Sequence, residues 1–233
     1  MDIRLLCTDV HSESAKRLAD KLTEKLGYKV YRSDKVIPNR QHIRYGDQRD
    51  KLHQYKFFRK NNLNFPWFTE SKEEVIDYMV AKDVPILCRV LIKGQEGRGI
   101  VIADNVNELV DAPVYVEYKE KTLEYRVNLF RGRVINVREK RRKLDHVVGL
   151  EDEPRIRNVA NGYVYCIPKR EIPVGVQRTA LGAALVTDSC IVGVDVAYNK
   201  NTKEHFLLEV NSAPALEGIT VDAYRDAIIK EFE

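Results

Sequence analysis

Apolar residues along the chain switch between a period of two and a period near 3.6, and each switch marks an element. Ile3 to Cys7 predicts a first strand. Ser12 then offers a helix cap, and Ala15, Leu18, Ala19, Leu22 and Leu26 follow at helical spacing. Gly27 ends that helix, and Tyr28 to Tyr31 predicts a second strand. Strand, helix, strand suggests a small Rossmann-like unit. Its first turn has no glycine fingerprint, so no dinucleotide site is expected there.

Asp50-Lys51-Leu52 opens another helix, with Leu52, Tyr55 and Phe58 inward and a stop at Asn61-Asn62. Ser71 with Glu74 spells a capping box before Val75, Ile76 and Met79. After Pro85, Ile86 to Ile92 predicts a strand interrupted by Arg89 and closed by Lys93. Gly94-Gln95-Glu96-Gly97-Arg98-Gly99 then leads into Ile100-Val101-Ile102. Strand, glycine-rich loop, strand is a hairpin flap, since no Gly-Lys-Ser/Thr opens a helix. Such a flap can lay backbone N–H groups on phosphates. A plain surface hairpin is the other reading. Asn105 to Asp111 predicts a short helix and Val114 to Tyr118 a strand.

Leu123 to Phe130 alternates cleanly, with Leu123, Tyr125, Val127 and Leu129 on one face and Glu124, Arg126 and Asn128 on the other. The chain turns at Arg131-Gly132-Arg133 and returns from Val134 to Lys140, a register that puts Lys140 near Glu124. A salt bridge on a solvated face is the simplest account of that pair. The basic run Glu139 to Lys143 reads as solvated, without interleaved aromatics for stacking bases. A long polar loop, Leu144 to Asn161, precedes a strand from Tyr163 to Ile167. Pro173 opens a helix carrying Ala180, Leu181, Ala184 and Leu185 on one side. A last helix starts near Val221 and buries Val221, Tyr224, Ile228 and Phe232.

Between these two helices lies the chemistry. Ile191 to Tyr198 carries Asp195, and Phe206-Leu207-Leu208 runs into Glu209-Val210-Asn211. The polar turn Asn199 to Lys203 joins them as a hairpin whose midpoint sets Asp195 across from Glu209. Glu209 and Asn211 point the same way along their strand. Two carboxylates this close repel unless a cation joins them. With a carboxamide they suit a hard ion such as magnesium, bound partly through substrate phosphates. A solvated acidic hairpin edge is the alternative.

Composition narrows the class only slightly. With 233 residues, 44% hydrophobic and 32% charged, the chain can bury a sizeable core. No apolar run reaches membrane-spanning length, and the start lacks a signal-peptide layout. Cys7, Cys88, Cys166 and Cys190 are scattered in apolar runs, which fits reduced core thiols and a cytoplasmic setting, cellular or viral. A net charge of +4 is too mild to indicate nucleic acid.

Gly193-Val194-Asp195-Val196, Leu208-Glu209-Val210-Asn211-Ser212-Ala213-Pro214 and Leu216-Glu217-Gly218 resemble the catalytic end of ATP-grasp ligases, particularly the RimK-type glutamate-ligase branch. Asp50-Lys51-Leu52, Gly97-Arg98-Gly99-Ile100 and Glu124-Tyr125-Arg126-Val127 resemble that branch's nucleotide lysine motif, phosphate flap and Asp/Glu-x-Arg strand. The likeness covers about residues 48 to 220. It implies an α+β fold, two subdomains gripping ATP behind the Rossmann-like N-terminal unit, divided as 1–47, 48–118 and 119–233. It gives Asp195, Glu209 and Asn211 to magnesium, two ions with Glu209 bridging, manganese being an acceptable substitute. Lys51 would contact the nucleotide phosphates and Gly97 and Gly99 would close over them. Tyr115, Val116 and Glu117 would meet adenine through their backbone. Arg126 and Lys140 would face the phosphates or an acyl phosphate, and Glu124 would help hold the nucleotide or orient those cations.

Two positions depart from the family. Its usual lysine on the strand before the flap is replaced by Arg89, or by Lys93 four residues on. Its usual Pro-Gly after the asparagine is Pro214-Ala215. The implied activity is an ADP-forming carboxylate–amine ligase acting on a small-molecule or peptide acid and an amine, with a homo-oligomer among the states it admits. The alternatives are an ATP-grasp kinase, and a non-catalytic nucleotide- or nucleic-acid-binding protein using the basic stretch 131–143.

Overall fold

The computed structural model describes residues 3–46, 50–93, 98–143 and 154–232. Strand β1 (Ile3–Cys7) leads into helix α1 (Glu13–Leu26), capped by the Ser12 side chain at the Ala15 N–H and closed by Gly27. The next strand, β2, spans Tyr31–Ser33, later than Tyr28 to Tyr31. An unforeseen third strand, β3 (Gln41–Tyr45), completes a parallel sheet in the order β2-β1-β3. Its side chains alternate too sparsely to stand out: only Ile43 and Tyr45 are buried.

Helix α2 (Lys51–Lys60) takes Asp50 as its N-cap and buries Tyr55, Phe58 and also Gln54. After β4 (Phe68–Thr69) comes α3 (Lys72–Lys82). Ser71 caps α3 at the Glu74 N–H, but the Glu74 carboxylate turns to the Thr69 hydroxyl at 2.5 Å, so the capping box is only half made. Strands β5 (Ile86–Arg89), β6 (Ile100–Ala103) and β7 (Val114–Glu117) join β4 in an antiparallel sheet ordered β4-β7-β5-β6. Strand β5 ends at Arg89 rather than Ile92, leaving Val90 and Leu91 exposed. The short helix expected after β6 is one 3-10 turn, Val106–Glu108.

The third sheet carries the site. Strands β8 (Leu123–Phe130), β9 (Arg133–Arg142), β10 (Tyr163–Cys166), β11 (Ile191–Tyr198) and β12 (His205–Asn211) are all antiparallel, ordered β10-β9-β8-β11-β12. Helix α4 (Val174–Leu185) covers one face with Val176, Ala180, Ala183 and Ala184, while Leu185 points outward at 74% exposure. Helix α2 reaches the same core, where Tyr55 and Phe58 meet Tyr125, Val127 and Val194. Helix α5 (Ile219–Phe232) packs instead on the N-terminal sheet, its Val221, Tyr224 and Ile228 among Ile3, Leu5, Leu18 and Ile43. The Lys21–Asp222 pair at 2.6 Å and the bond from Tyr45 Oη to Pro214 O at 2.8 Å stitch that unit to the chain's C-terminal part.

The basic run is not a solvated face. It forms the end of β9, flanked by β8 and β10, with Lys140 and Arg141 paired to the buried Glu124 and Glu139. All four cysteines are free; Cys7 and Cys88 are buried, Cys166 and Cys190 half-buried. Among the described residues no helix is long and apolar enough to cross a membrane.

Candidate active site

The register of the five-stranded sheet lines up three rows of side chains. The hairpin β11–β12 pairs Asp195 with Glu209, as its turn length predicts. Across β11, Asp195 pairs with Arg126 on β8, and Arg126 with Arg138 on β9. One row therefore reads Glu209, Asp195, Arg126, Arg138. The next reads Asn211, Gly193, Asn128, Asn136. On the other side, Glu124 faces the Lys140–Tyr165 pair. This face, polar at almost every position, forms a wall of a cavity of about 850 Å³.

The charges on that wall are already paired. Arg126 grips Asp195 through Nε and Nη2, each at 2.7 Å. Lys51 Nζ meets Glu209 Oε1 at 2.5 Å. Asn211 donates to Glu209 Oε1 at 2.8 Å and accepts from Arg126 at 3.3 Å, the amide orientation that satisfies both partners. Lys140 pairs with Glu124, which is 4% exposed, so the pair faces the cavity instead of bulk water. The Tyr165 ring lies beneath both cations, 4.5 Å from the Arg126 guanidinium and 5.3 Å from Lys140. Burial alone would raise the Asp195 pKa, yet the Arg126 guanidinium outweighs it and holds the carboxyl below the ordinary range. Burial, then the Asp195 carboxylate, pushes the Tyr165 phenol up.

Helix α2 is fixed on this wall from its first turn. The Lys51 N–H donates to Ile92 O at 3.1 Å, and the buried Gln54 side chain accepts from the Val210 N–H at 3.1 Å. These contacts hold the Lys51 side chain against β12 and tie the end of the β5 segment to the same helix. Arg89 also lines the cavity, its Nε donating to Tyr55 Oη at 2.9 Å. Lys93 is exposed and lies off the cavity wall. Gly99 has φ +73°, and a Cβ there would sit 2.6 Å from Leu91 Cβ. Gly97 lies outside the described residues, as do residues 144–153 of the polar loop.

Strand β7 meets neighbours on both edges, β4 and β5. Tyr115 and Val116 are buried in the sheet, and neither they nor Glu117 line the cavity. Tyr118, one residue beyond, does. The segment 154–161 supplies a further wall that the sequence concealed. Arg157 donates to the Thr122 and Lys121 carbonyls, and Arg155 pairs with Asp104 just after β6. Tyr165 was equally hidden, although alternation along Tyr163-Val164-Tyr165 could have put its ring beside Lys140.

Whether Asp195, Glu209 and Asn211 fit a divalent cation follows from their chemistry. Two carboxylates and a carboxamide meet on adjacent strands, the amide N–H on Glu209 and its oxygen on Arg126, and no group of three His, Cys, Asp or Glu converges among the described residues. Hard oxygen donors with room left for phosphate oxygens suit magnesium. The positive charge the acids need is supplied here by Lys51 and Arg126. The residues fit the ion.

No protein-family model and no curated protein matches the sequence. Solved structures do match. The ATP-grasp ligase PsnB, complexed with minimal precursor, Mg and ADP, aligns at TM-score 0.65 and 13% identity over 99% of this chain and 97% of its own. A Chryseobacterium gregarium RiPP-associated ATP-grasp ligase, bound to ADP and to a leader and core peptide, aligns at 0.63 and 12% over 99% and 97%. D-alanine–D-alanine ligase from Bacillus anthracis aligns at 0.60 and 12% over 99% and 93%. The chain has the α+β ATP-grasp fold. At 12–13% identity the likeness is one of fold.

Proposed function

We propose that this protein is an ATP-dependent, ADP-forming carboxylate–amine ligase of the RimK-like kind, acting on a small-molecule or peptide acid. The observation that carries this is the row Glu209, Asp195, Arg126 on the cavity wall, with Lys51, Arg89 and Lys140 lining the same space. Similarity of fold to ligases that bind ADP, Mg and peptide precursors supports it.

Asp195, Glu209 and Asn211 would hold two magnesium ions, which when bound neutralise phosphate oxygens and order them for in-line transfer. Lys51 and Arg126 each sit where an acid partner can be exchanged for a phosphate oxygen. Arg89 would reach the nucleotide phosphates from β5, beside the turn at Gly99. A substrate carboxylate oxygen attacks the γ-phosphorus and ADP leaves. The amine then attacks the acyl carbon, phosphate leaves, and the amide forms. Phosphoryl transfer of this type asks for positioning and charge neutralisation rather than a protein nucleophile. Arg126 and Lys140 supply positive charge where the acyl phosphate would form, Glu124 fixes Lys140, and the Tyr165 ring shields both cations from solvent.

The test is interception of the acyl phosphate. Incubation with ATP, magnesium, pooled carboxylic and amino acids and hydroxylamine should yield a hydroxamate with matching ADP. A phosphorylated product that hydroxylamine leaves intact would make the enzyme a kinase.

A further inference from the structure

Each acid suited to a divalent cation is already held by a cation of the chain itself. Arg126 covers both Asp195 oxygens at 2.7 Å, and Lys51 Nζ sits 2.5 Å from Glu209 Oε1. The Asn211 amide is engaged in the same pairs, its N–H on Glu209 and its oxygen on Arg126. Lys51 is no loose surface group: its side chain is 13% exposed, and its own N–H is bound to Ile92 O. Gln54 ties the same helix to the Val210 N–H on β12, one residue from Glu209. A divalent cation arriving alone must turn Lys51 and Arg126 off their acids. That leaves two largely buried charges without partners, which is strongly unfavourable. The cation also meets a positive field, because among the described residues eight lysines and arginines line the cavity against four carboxylates. A polyphosphate meets the opposite conditions. The field draws it in, and its oxygens take the place of the acids on Lys51 and Arg126.

We infer that Lys51 and Arg126 form a counter-ion lock on Asp195 and Glu209, so that the nucleotide enters first, as the metal-free polyanion, and its phosphates free the acids for the cation. The inference rests on the ligase reading of this cavity and adds an order of binding to it. Lys51 is the bolt of the lock. It holds one oxygen of a half-buried carboxylate, whereas Arg126 holds both oxygens of a buried one. Glu209 is therefore the acid released more readily. Removing the Lys51 charge opens the lock, and it also takes away a contact that draws the phosphates in. The two ligands should then respond to that change in opposite directions.

Two binding measurements test this without turnover. Manganese alone is followed by the electron paramagnetic resonance signal of the free ion, and ATP in EDTA by calorimetry. Wild type should bind ATP in EDTA at least tenfold more tightly than it binds manganese alone. Lys51→Met should bind manganese at least tenfold more tightly than wild type, and ATP in EDTA at least tenfold more weakly. Damage to the fold weakens both. Lys51→Arg should return both affinities towards wild type, and adding Glu209→Gln to Lys51→Met should remove the gained manganese site. Wild type binding manganese alone as tightly as Lys51→Met does, or binding ATP only when magnesium is present, overturns the inference; the second of these arms needs no variant. Nucleotide-first binding without hydroxamate formation would uphold the lock and defeat the ligase reading. Hydroxamate formation by a wild type that binds manganese tightly on its own would do the reverse.

Discussion

Arg126 and Asp195 face each other on β8 and β11 and meet through two N–H···O contacts of 2.7 Å. Both side chains are largely buried, at 18% and 7% exposure. Removing one partner of such a pair leaves a charge without compensation, which typically costs about 3–5 kcal/mol. Asp195→Ala should therefore lower the unfolding free energy by roughly 3 kcal/mol, the low end because the cavity admits water. Denaturant titration of the two proteins measures it. A loss below about 1 kcal/mol would place the pair with ordinary surface bridges.

The same pair predicts a pH dependence. The Asp195 pKa is held below its unfolded value, near 3.9, so the pair's stabilisation is fully present above that value. It is lost as pH falls through the lower folded value. Arg126 stays charged throughout, its pKa raised further by Asp195 against the effect of burial. Wild type should then lose melting temperature more steeply below about pH 4 than Asp195→Asn does. Parallel acid limbs in the two proteins would contradict it.

Much of the β8–β9 and β11–β12 hairpins was legible because a short polar turn leaves a hairpin few registers, so Asp195 could be set against Glu209 and Lys140 near Glu124. The environment of the second pair was not legible. Alternation shows that Glu124, Arg126 and Asn128 share a face but not whether that face meets water or a cavity. Here Glu124 and Asn128 are almost wholly buried. Arg138 was lost inside a basic stretch because its meaning depends on β10 pairing with β9 across the long connection 143–162. Nothing in that connection's composition encodes the pairing. The short strand β3 was missed for a related reason, since a parallel neighbour leaves no turn signal next to it.

Glu209→Gln keeps side-chain shape but removes the charge facing Lys51 and the candidate ion site. Turnover should fall by about two orders of magnitude or more, equivalent to roughly 3 kcal/mol of transition-state stabilisation. The melting curve should move little, since Glu209 is half-buried at the cavity wall and its carboxylate meets Lys51 there. Near-normal turnover would sink the metal assignment.

Arg89 and Lys93 compete for the role of phosphate cation beside the flap. Arg89 lines the cavity and is aimed by its bond to Tyr55 Oη, whereas Lys93 is exposed beyond the end of β5. A held cation loses less freedom on meeting phosphate. Arg89→Met should weaken ATP binding by about tenfold, or ~1.4 kcal/mol, and Lys93→Met by less than about twofold. Calorimetric titration of each variant decides it, and a larger loss in Lys93→Met reverses the assignment.

Gly99 closes the β5–β6 hairpin, its carbonyl accepting from the Val90 N–H at 2.8 Å. Its φ of +73° is costly for a residue with a Cβ, by about 1–2 kcal/mol. A methyl here would also press on Leu91, 2.6 Å from both Cβ and Cγ. Gly99→Ala should therefore loosen the hairpin without disturbing the core of Ile86, Cys88, Ala103 and Tyr115. Amide exchange at Val90 should speed up by about tenfold, matching a local opening made easier by ~1.4 kcal/mol. If the flap closes over phosphates, ATP affinity should fall with it while the melting temperature changes by only a few degrees. Faster exchange with unchanged ATP affinity would mean that this hairpin is a surface turn with no part in holding the nucleotide.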